Sequence, residues 1–208
     1  MRRILLLPLL AVALGGCGGD APEAREAGGP RALVEALRDG GHVLYLRHAL
    51  TDHTQSDALA EPLRDCGLQR NLTEEGRRQA RALGEAIEAL GIPVGAVLSS
   101  EYCRCLDTAR LAFDRAEPVP LLSGIPAAGE RDHAARVAAL RELLSEPPPA
   151  DTNRVVVAHK DNLEDVAGVV LDEGETAVFE PLGNGEFRFA GRVPAAVWTK
   201  LAAALAEA

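Results

Sequence analysis

Apolar residues in this chain recur in two alternating patterns: short unbroken runs, and longer stretches at helical spacing. His42 to Leu46 (HVLYL), Val94 to Ser99 (VGAVLS) and Arg154 to Ala158 (RVVVA) have strand length and read as buried strands. Between them lie helical stretches. Ala32 to Arg38 stops at Gly40-Gly41, and Thr73 caps Glu74 to Leu90, whose first turn is acidic and whose Leu83, Ile87 and Leu90 recur on one face. Gly91 and Pro93 end that helix. Further helices are expected over Glu101 to Phe113, His133 to Leu144 (closed by Pro147-Pro148-Pro149) and Asn162 to Val170. Val119 to Leu122 is a candidate third strand in chain order. Thr176 to Pro181 and Glu186 to Ala190 flank Gly183-Asn184-Gly185, a hairpin signal, and Pro194 to Ala206 is a last helix with Pro at its start. There is no internal repeat.

Strands alternating with helices predict an α/β domain with a mainly parallel sheet, to which the hairpin adds an antiparallel edge. Ligands of such sheets bind at the carboxyl ends of the strands. Three strands here end in chemically capable residues: Arg47-His48, Ser99-Ser100 and His159.

The first residues follow neither pattern. Met1-Arg2-Arg3 precedes ILLLPLLAVAL, an apolar run too short for a spanning helix, and Leu14-Gly15-Gly16-Cys17 has the form of a lipobox. The expectation is a lipoprotein signal peptide over residues 1–16, with lipid on Cys17. An ordinary signal peptide with a chance Cys is the plainer alternative. Residues 17–30 are rich in Gly, Ala, Pro and charge and read as a flexible tether, leaving 31–208 as one domain. The chain is then expected in the cell envelope, lipid-anchored and extracytoplasmic. Gly18 after Cys17 leans this towards the periplasmic face of an outer membrane. Contact with the membrane is through the lipid alone.

Net charge is -9, and loss of Arg2 and Arg3 with the signal makes it more negative. Such a surface repels nucleic acid and anionic headgroups, so an anionic substrate needs a local positive pocket. Export also permits a disulfide. Cys66, Cys103 and Cys105 remain after Cys17, and on a helix the last two point in different directions. The pairing taken is Cys66 with Cys103, with Cys105 as the alternative. A zinc site is disfavoured, because CRC on a helix chelates poorly and no His lies nearby in sequence.

Phosphoryl transfer asks for positive donors around the equatorial oxygens and can use a neutral imidazole as nucleophile. His48 directly after Arg47 supplies nucleophile and guanidinium clamp together. Arg104, one turn into a helix, can return a second guanidinium, and His159 a further donor. LYLRHALTD resembles the RHG signature of the histidine phosphatase superfamily (branch 1, phosphoglycerate mutase-like). SSEYCRCLDTAR is similar to its second motif, with Ser99, Arg104 and Thr108-Ala109. VVVAHKDNL resembles the motif of the second pocket His, and NLTEEGRRQA the run between the first two motifs. All four fall in family order between about residues 42 and 165.

The resemblance implies a three-layer α/β/α sandwich and no required cofactor or metal. It implies His48 as the phosphorylated nucleophile, held with Arg47, Arg104 and His159 around the phosphoryl group. Thr51 fits the Ser/Thr position of the first motif. The departures are Ala49 for the usual Gly and Thr54 where many members carry Asn. No pattern marks the general acid; Glu164 near a helix start is the choice, with Glu130, Asp161, Asp52 and Glu101 as alternatives. His53 is a candidate for the pocket wall, His42 for a structural role and His133 for the surface. Trp198 is expected to pack on the domain, and Glu173 to Glu175 reads as a solvated loop.

The function expected is an exported phosphomonoesterase working through a phosphohistidine on a small phosphorylated molecule or a phosphorylated envelope component. The rival is a non-catalytic phosphate- or phosphoester-binding lipoprotein that lacks an effective acid. A mutase is a third possibility.

Overall fold

The structure is a computed structural model describing residues 29–57, 63, 65–123 and 130–207, with backbone alone for 130–132. The segment read as a signal peptide, Cys17, and all but the last two residues of the segment read as a tether lie outside the described residues. Helix α1 (Pro30–Arg38) begins inside the segment read as tether, because Pro30 takes the first helical position, where its missing N–H costs nothing.

The remaining elements are β1 (Val43–Arg47), α2 (Glu74–Ala89), β2 (Val94–Ser99), α3 (Cys103–Phe113), β3 (Glu117–Pro118), α4 (Glu130–Ser145), β4 (Asn153–Ala158), α5 (Lys160–Ala167), β5 (Thr176–Gly183), β6 (Glu186–Val193) and α6 (Ala195–Ala206). They form one sheet of order β3-β2-β4-β1-β5-β6. The four strands from β3 to β1 are parallel, and β5 and β6 run antiparallel at the other edge. This is the α/β class expected.

Alternation along β1 sorts the layers. Leu44 and Leu46 pack with α1, α2, α3 and Trp198 of α6, whereas Val43 and Tyr45 pack with Leu140 and Leu144 of α4 and Leu163 of α5. The strand is apolar without a break because both its faces are covered. In the first layer α2 crosses α3 closely at Gly84, where a Cβ would stand 2.0 Å from the Ala112 carbonyl oxygen. At the antiparallel edge, Asn184 and Gly185 both take positive φ (54° and 80°), the requirement of the two-residue turn that joins β5 to β6.

Three expectations shift. Val119 to Leu122 is not a strand: β3 is only the two residues before it, and Pro120–Leu122 is a 3-10 turn. Pro118 and Pro120 have no N–H to give a ladder. Helix α3 begins two residues late, because the Ser100 and Ser123 hydroxyls accept from Tyr102 and Glu101 N–H and hold them outside the helix. Helix α5 starts at Lys160, right after His159, and stops at Gly168 in the left-handed region (φ 66°).

Candidate active site

Because β1, β4 and β2 are parallel neighbours, their carboxyl ends lie side by side. Arg47 is level with Ala158, and Ser99 with Val157. His48, Ser100 and His159 each follow one of these ends, and all three are buried. The His48 and His159 rings are 5.6 Å apart, edge to face.

The His48 ring has a defined tautomer. Its Nδ1 lies 3.0 Å from the Ala49 carbonyl oxygen, which can only accept, so Nδ1 carries the proton and Nε2 keeps the lone pair. Burial first, then the Arg104 guanidinium, push its pKa down to about 3, and the ring is neutral at pH 7. A neutral imidazole with a free Nε2 is a competent nucleophile. The same reasoning applies to His159. The Arg104 Nη2 donates to its Nδ1 at 3.4 Å, so Nε2–H donates to the Ser100 hydroxyl at 2.9 Å. Burial, followed by Arg104 and His48, holds its pKa well below the ordinary value. Tyr45 donates to the His159 carbonyl at 2.6 Å and fixes its backbone.

Arg104 points back from the first turn of α3. Its Nη1 is 3.0 Å from Asp57 Oδ1, and its guanidinium stacks on Tyr102 at 4.3 Å. Thr108 accepts from Ala49 N–H and donates to the Arg104 carbonyl, joining the first motif to the second. The Ala49 methyl is buried with Leu72 and Ala80, so it is spent on packing. Arg47 donates to the Leu171 carbonyl at 2.7 Å.

Two charged residues join this group that the sequence reading did not single out. Arg70 lowers the pKa of His159 and bonds His53 on the rim. Its place just before NLTEEG was the only available signal. The other is Glu173. In place of a solvated loop, its side chain is only 6% exposed, and its Oε1 is 3.6 Å from Arg47 Nη2. Gly174 N–H bonds the His48 carbonyl and carries Glu173 inward. Glu175 is buried as well, its carboxylate accepting from Asp172 N–H.

Arg47, Arg70 and Arg104 each keep a buried Nε–H without a partner among the described residues. A buried charged donor left unpaired is costly, and three around one pair of histidines form a ready set for an oxyanion. With Asp57 and Glu173 as the opposing carboxylates, the site is locally positive in an acidic chain.

Other expected site residues lie elsewhere. Glu164 is on the solvent face of α5, its carboxylate 3.9 Å from Lys160 Nζ. The short α5 turns it outward, so its position does not support the acid role. Glu130 falls among residues whose side chains are not described. Thr51 is buried, but its hydroxyl is committed to Glu173 at 2.6 Å and holds the site from behind. Thr54 lies in an exposed turn and donates to Asp52, so it does not reach the pocket. His53 is on the rim, 66% exposed, with Nε2 3.4 Å from Glu173 Oε2. His42 caps the Gly40 carbonyl, His133 is exposed, and Trp198 is fully buried. Cys66 and Cys103 are joined by a disulfide that ties the loop before α2 to the start of α3, and Cys105 is a buried free thiol. Among the described residues, no cluster of His, Cys, Asp and Glu could hold a metal ion.

Residues 43–125 match the model of the histidine phosphatase superfamily (branch 1); β4 and His159 lie beyond the matched span. No curated protein matches the sequence. Among solved structures, the fold is similar to the protein histidine phosphatase SixA complexed with tungstate (17% identity, 75% of this chain and 98% of that one, TM-score 0.52). It is also similar to the alpha-ribazole phosphatase from Shigella flexneri (17%, 74% and 96%, TM-score 0.55). A third is a mycobacterial glucosyl-3-phosphoglycerate phosphatase complexed with VO3 (20%, 73% and 98%, TM-score 0.51). Residues 43–125 are thus similar to the histidine phosphatase superfamily (branch 1), and the chain shares its fold with solved phosphatases.

Proposed function

We propose that this domain hydrolyses a phosphomonoester in two steps through a phosphohistidine on His48. The observation that carries the reading is the His48 ring itself: buried, neutral, and with Nε2 left free by the Nδ1 bond to Ala49. In the first step Nε2 attacks phosphorus, the Nε2–P bond forms and the ester P–O bond breaks, its electron pair leaving on the alcohol oxygen, which takes a proton from solvent. In the second, water attacks phosphorus and loses a proton to solvent, inorganic phosphate leaves, and the Nε2–P bond breaks to restore the neutral ring. Arg47, Arg104 and His159, with Arg70 beside them, surround the equatorial oxygens. The open Nε–H groups of the three arginines suit the charge spread over them, and His159 would turn its Nε2–H from Ser100 to the phosphoryl group. Tungstate and VO3, carried by two of the similar structures, are oxyanions of the same kind.

Rapid quenching with a 32P-labelled aryl phosphate tests this. The expected result is a label lost in acid, kept in alkali, and carried by the peptide that contains His48. Turnover with label on a Ser or Asp peptide would overturn it.

We also propose that the chain is exported and lipid-anchored through Cys17. The apolar N-terminal run and the lipobox form of Leu14-Gly15-Gly16-Cys17 support this, and the disulfide suits an oxidising compartment. Cys17→Ser is expected to move the protein from the membrane pellet to the soluble envelope fraction. A variant still sedimenting with membranes would exclude the anchor.

A further inference from the structure

Glu173 has no part in the route above, yet among the described residues it is the carboxylate within 4.0 Å of His48. It stands on the Nδ1 side of His48, with Oε1 4.0 Å from that nitrogen, while the phosphoryl group is taken on Nε2. Four further groups face it. Thr51 donates to it twice, from Oγ1 at 2.6 Å and from N at 3.1 Å, and Arg47 and His53 approach from either side. Gln79 holds its backbone carbonyl at 3.4 Å and the neighbouring Leu50 N–H at 3.1 Å. So fixed, the carboxylate cannot swing to the leaving-group side and serve as the acid.

Its place suits a different task. When the neutral ring takes phosphorus on Nε2, Nδ1 keeps its proton, so the ring becomes an imidazolium bearing the phosphoryl group. A positive charge appears on the ring in this step and disappears when water attacks. We propose that Glu173 is a positioning residue of phosphoryl transfer, acting through His48: its fixed carboxylate balances the charge that the ring acquires in the phosphoenzyme. The logic is that of a carboxylate behind a catalytic imidazole, which stabilises the imidazolium without taking its proton. Glu173 is suited to it because it stays ionised. Burial opposes the charge, but the two Thr51 hydrogen bonds and the His48 and Arg47 neighbours outweigh it and hold the pKa below the ordinary value. The inference rests on the phosphohistidine route.

The charge role and a purely structural role make opposite predictions for two variants. With Glu173→Gln, kcat for an aryl phosphate is expected to fall on the order of 10- to 100-fold. Inorganic phosphate, measured by calorimetry, should bind as tightly as to wild type or more tightly, because a negative charge beside Arg47 has gone. Glu173→Asp keeps the charge but shortens the reach to Thr51, so it should outperform Gln. The proposal is overturned if kcat of the Gln variant stays within threefold of wild type, or if phosphate binding is lost with kcat. An Asp variant no better than Gln, or a Gln variant too unstable to assay, would also overturn it, since each is the signature of a brace. Wild type that binds phosphate without turnover overturns the phosphatase reading itself, and this inference with it. Wild-type turnover with an indifferent Gln variant overturns this inference alone.

Discussion

His48→Ala is expected to reduce turnover of an aryl phosphate by at least about 10⁴-fold while leaving phosphate bound within about tenfold of wild type. The two numbers separate because the two jobs fall on different atoms. On the proposed route Nε2 of His48 forms the covalent bond, while the guanidiniums bind the oxygens. Arg47, Arg70 and Arg104 keep their donors in the variant, held by Leu171, His53 and Asp57 from outside the His48 ring. Steady-state kinetics and calorimetric titration of phosphate on the same preparation check both. Residual activity above about one per cent of wild type would remove His48 from the nucleophile's role. Equal, negligible turnover in both proteins with phosphate bound would favour the non-catalytic binder.

The same variant tests the largest expected effect on stability. Fold stability should fall as pH drops below about 6.5, and His48 alone should account for about 2 kcal/mol by pH 5. The sign follows from where the proton binds. In the unfolded chain His48 takes a proton below its ordinary pKa of 6.5, whereas in the folded protein burial and Arg104 delay this to about 3. Between those values the unfolded state binds more protons, so acid favours it; above 6.5 both forms are neutral and nothing is lost. His159, pushed down by burial and by Arg104, contributes in the same direction. Glu173, held below 4.5, removes a little more as pH falls through its folded value. Denaturant midpoints from pH 7.5 to 5 should therefore slope less in His48→Ala than in wild type. Parallel curves would mean that the ring is not buried neutral. Phosphate should flatten the wild-type curve, since a bound dianion makes protonation of both rings easier.

Arg47-His48, Ser99-Ser100 and His159 were readable as one site because each ends a buried apolar run, and parallel strands align such ends. Arg104 was readable through its place between Ser99 and Thr108-Ala109. Val119 to Leu122 was misleading, because its apolar residues suit a strand while its prolines deny one hydrogen bonds. Glu164 was misleading in another way. Proximity to His159 along the chain suggested the pocket, but α5 starts directly at Lys160 and turns that side chain to solvent. Thr51 and Thr54 have hydroxyls in the right motif, yet each is already spent on a neighbouring carboxylate.

Glu173 was beyond reach of any local pattern. Asp172-Glu173-Gly174-Glu175 has the composition of a surface turn, and charge in a turn is normally solvated. What buries it is the closing of a loop more than 120 residues away onto the first motif, through Gly174 N–H on the His48 carbonyl and Thr51 on the carboxylate. By itself, then, the sequence determined the α/β layering and the strand ends that bring Arg47-His48, Ser99-Ser100 and His159 together. Those depend on periodicity and on spacing within single elements. Only the tertiary structure decided which hydroxyls and carboxylates face the ring, which arginines keep open donors and which acids point away. Those depend on contacts between segments distant in the chain, where a side chain's surroundings are supplied by residues that its own neighbours do not reveal.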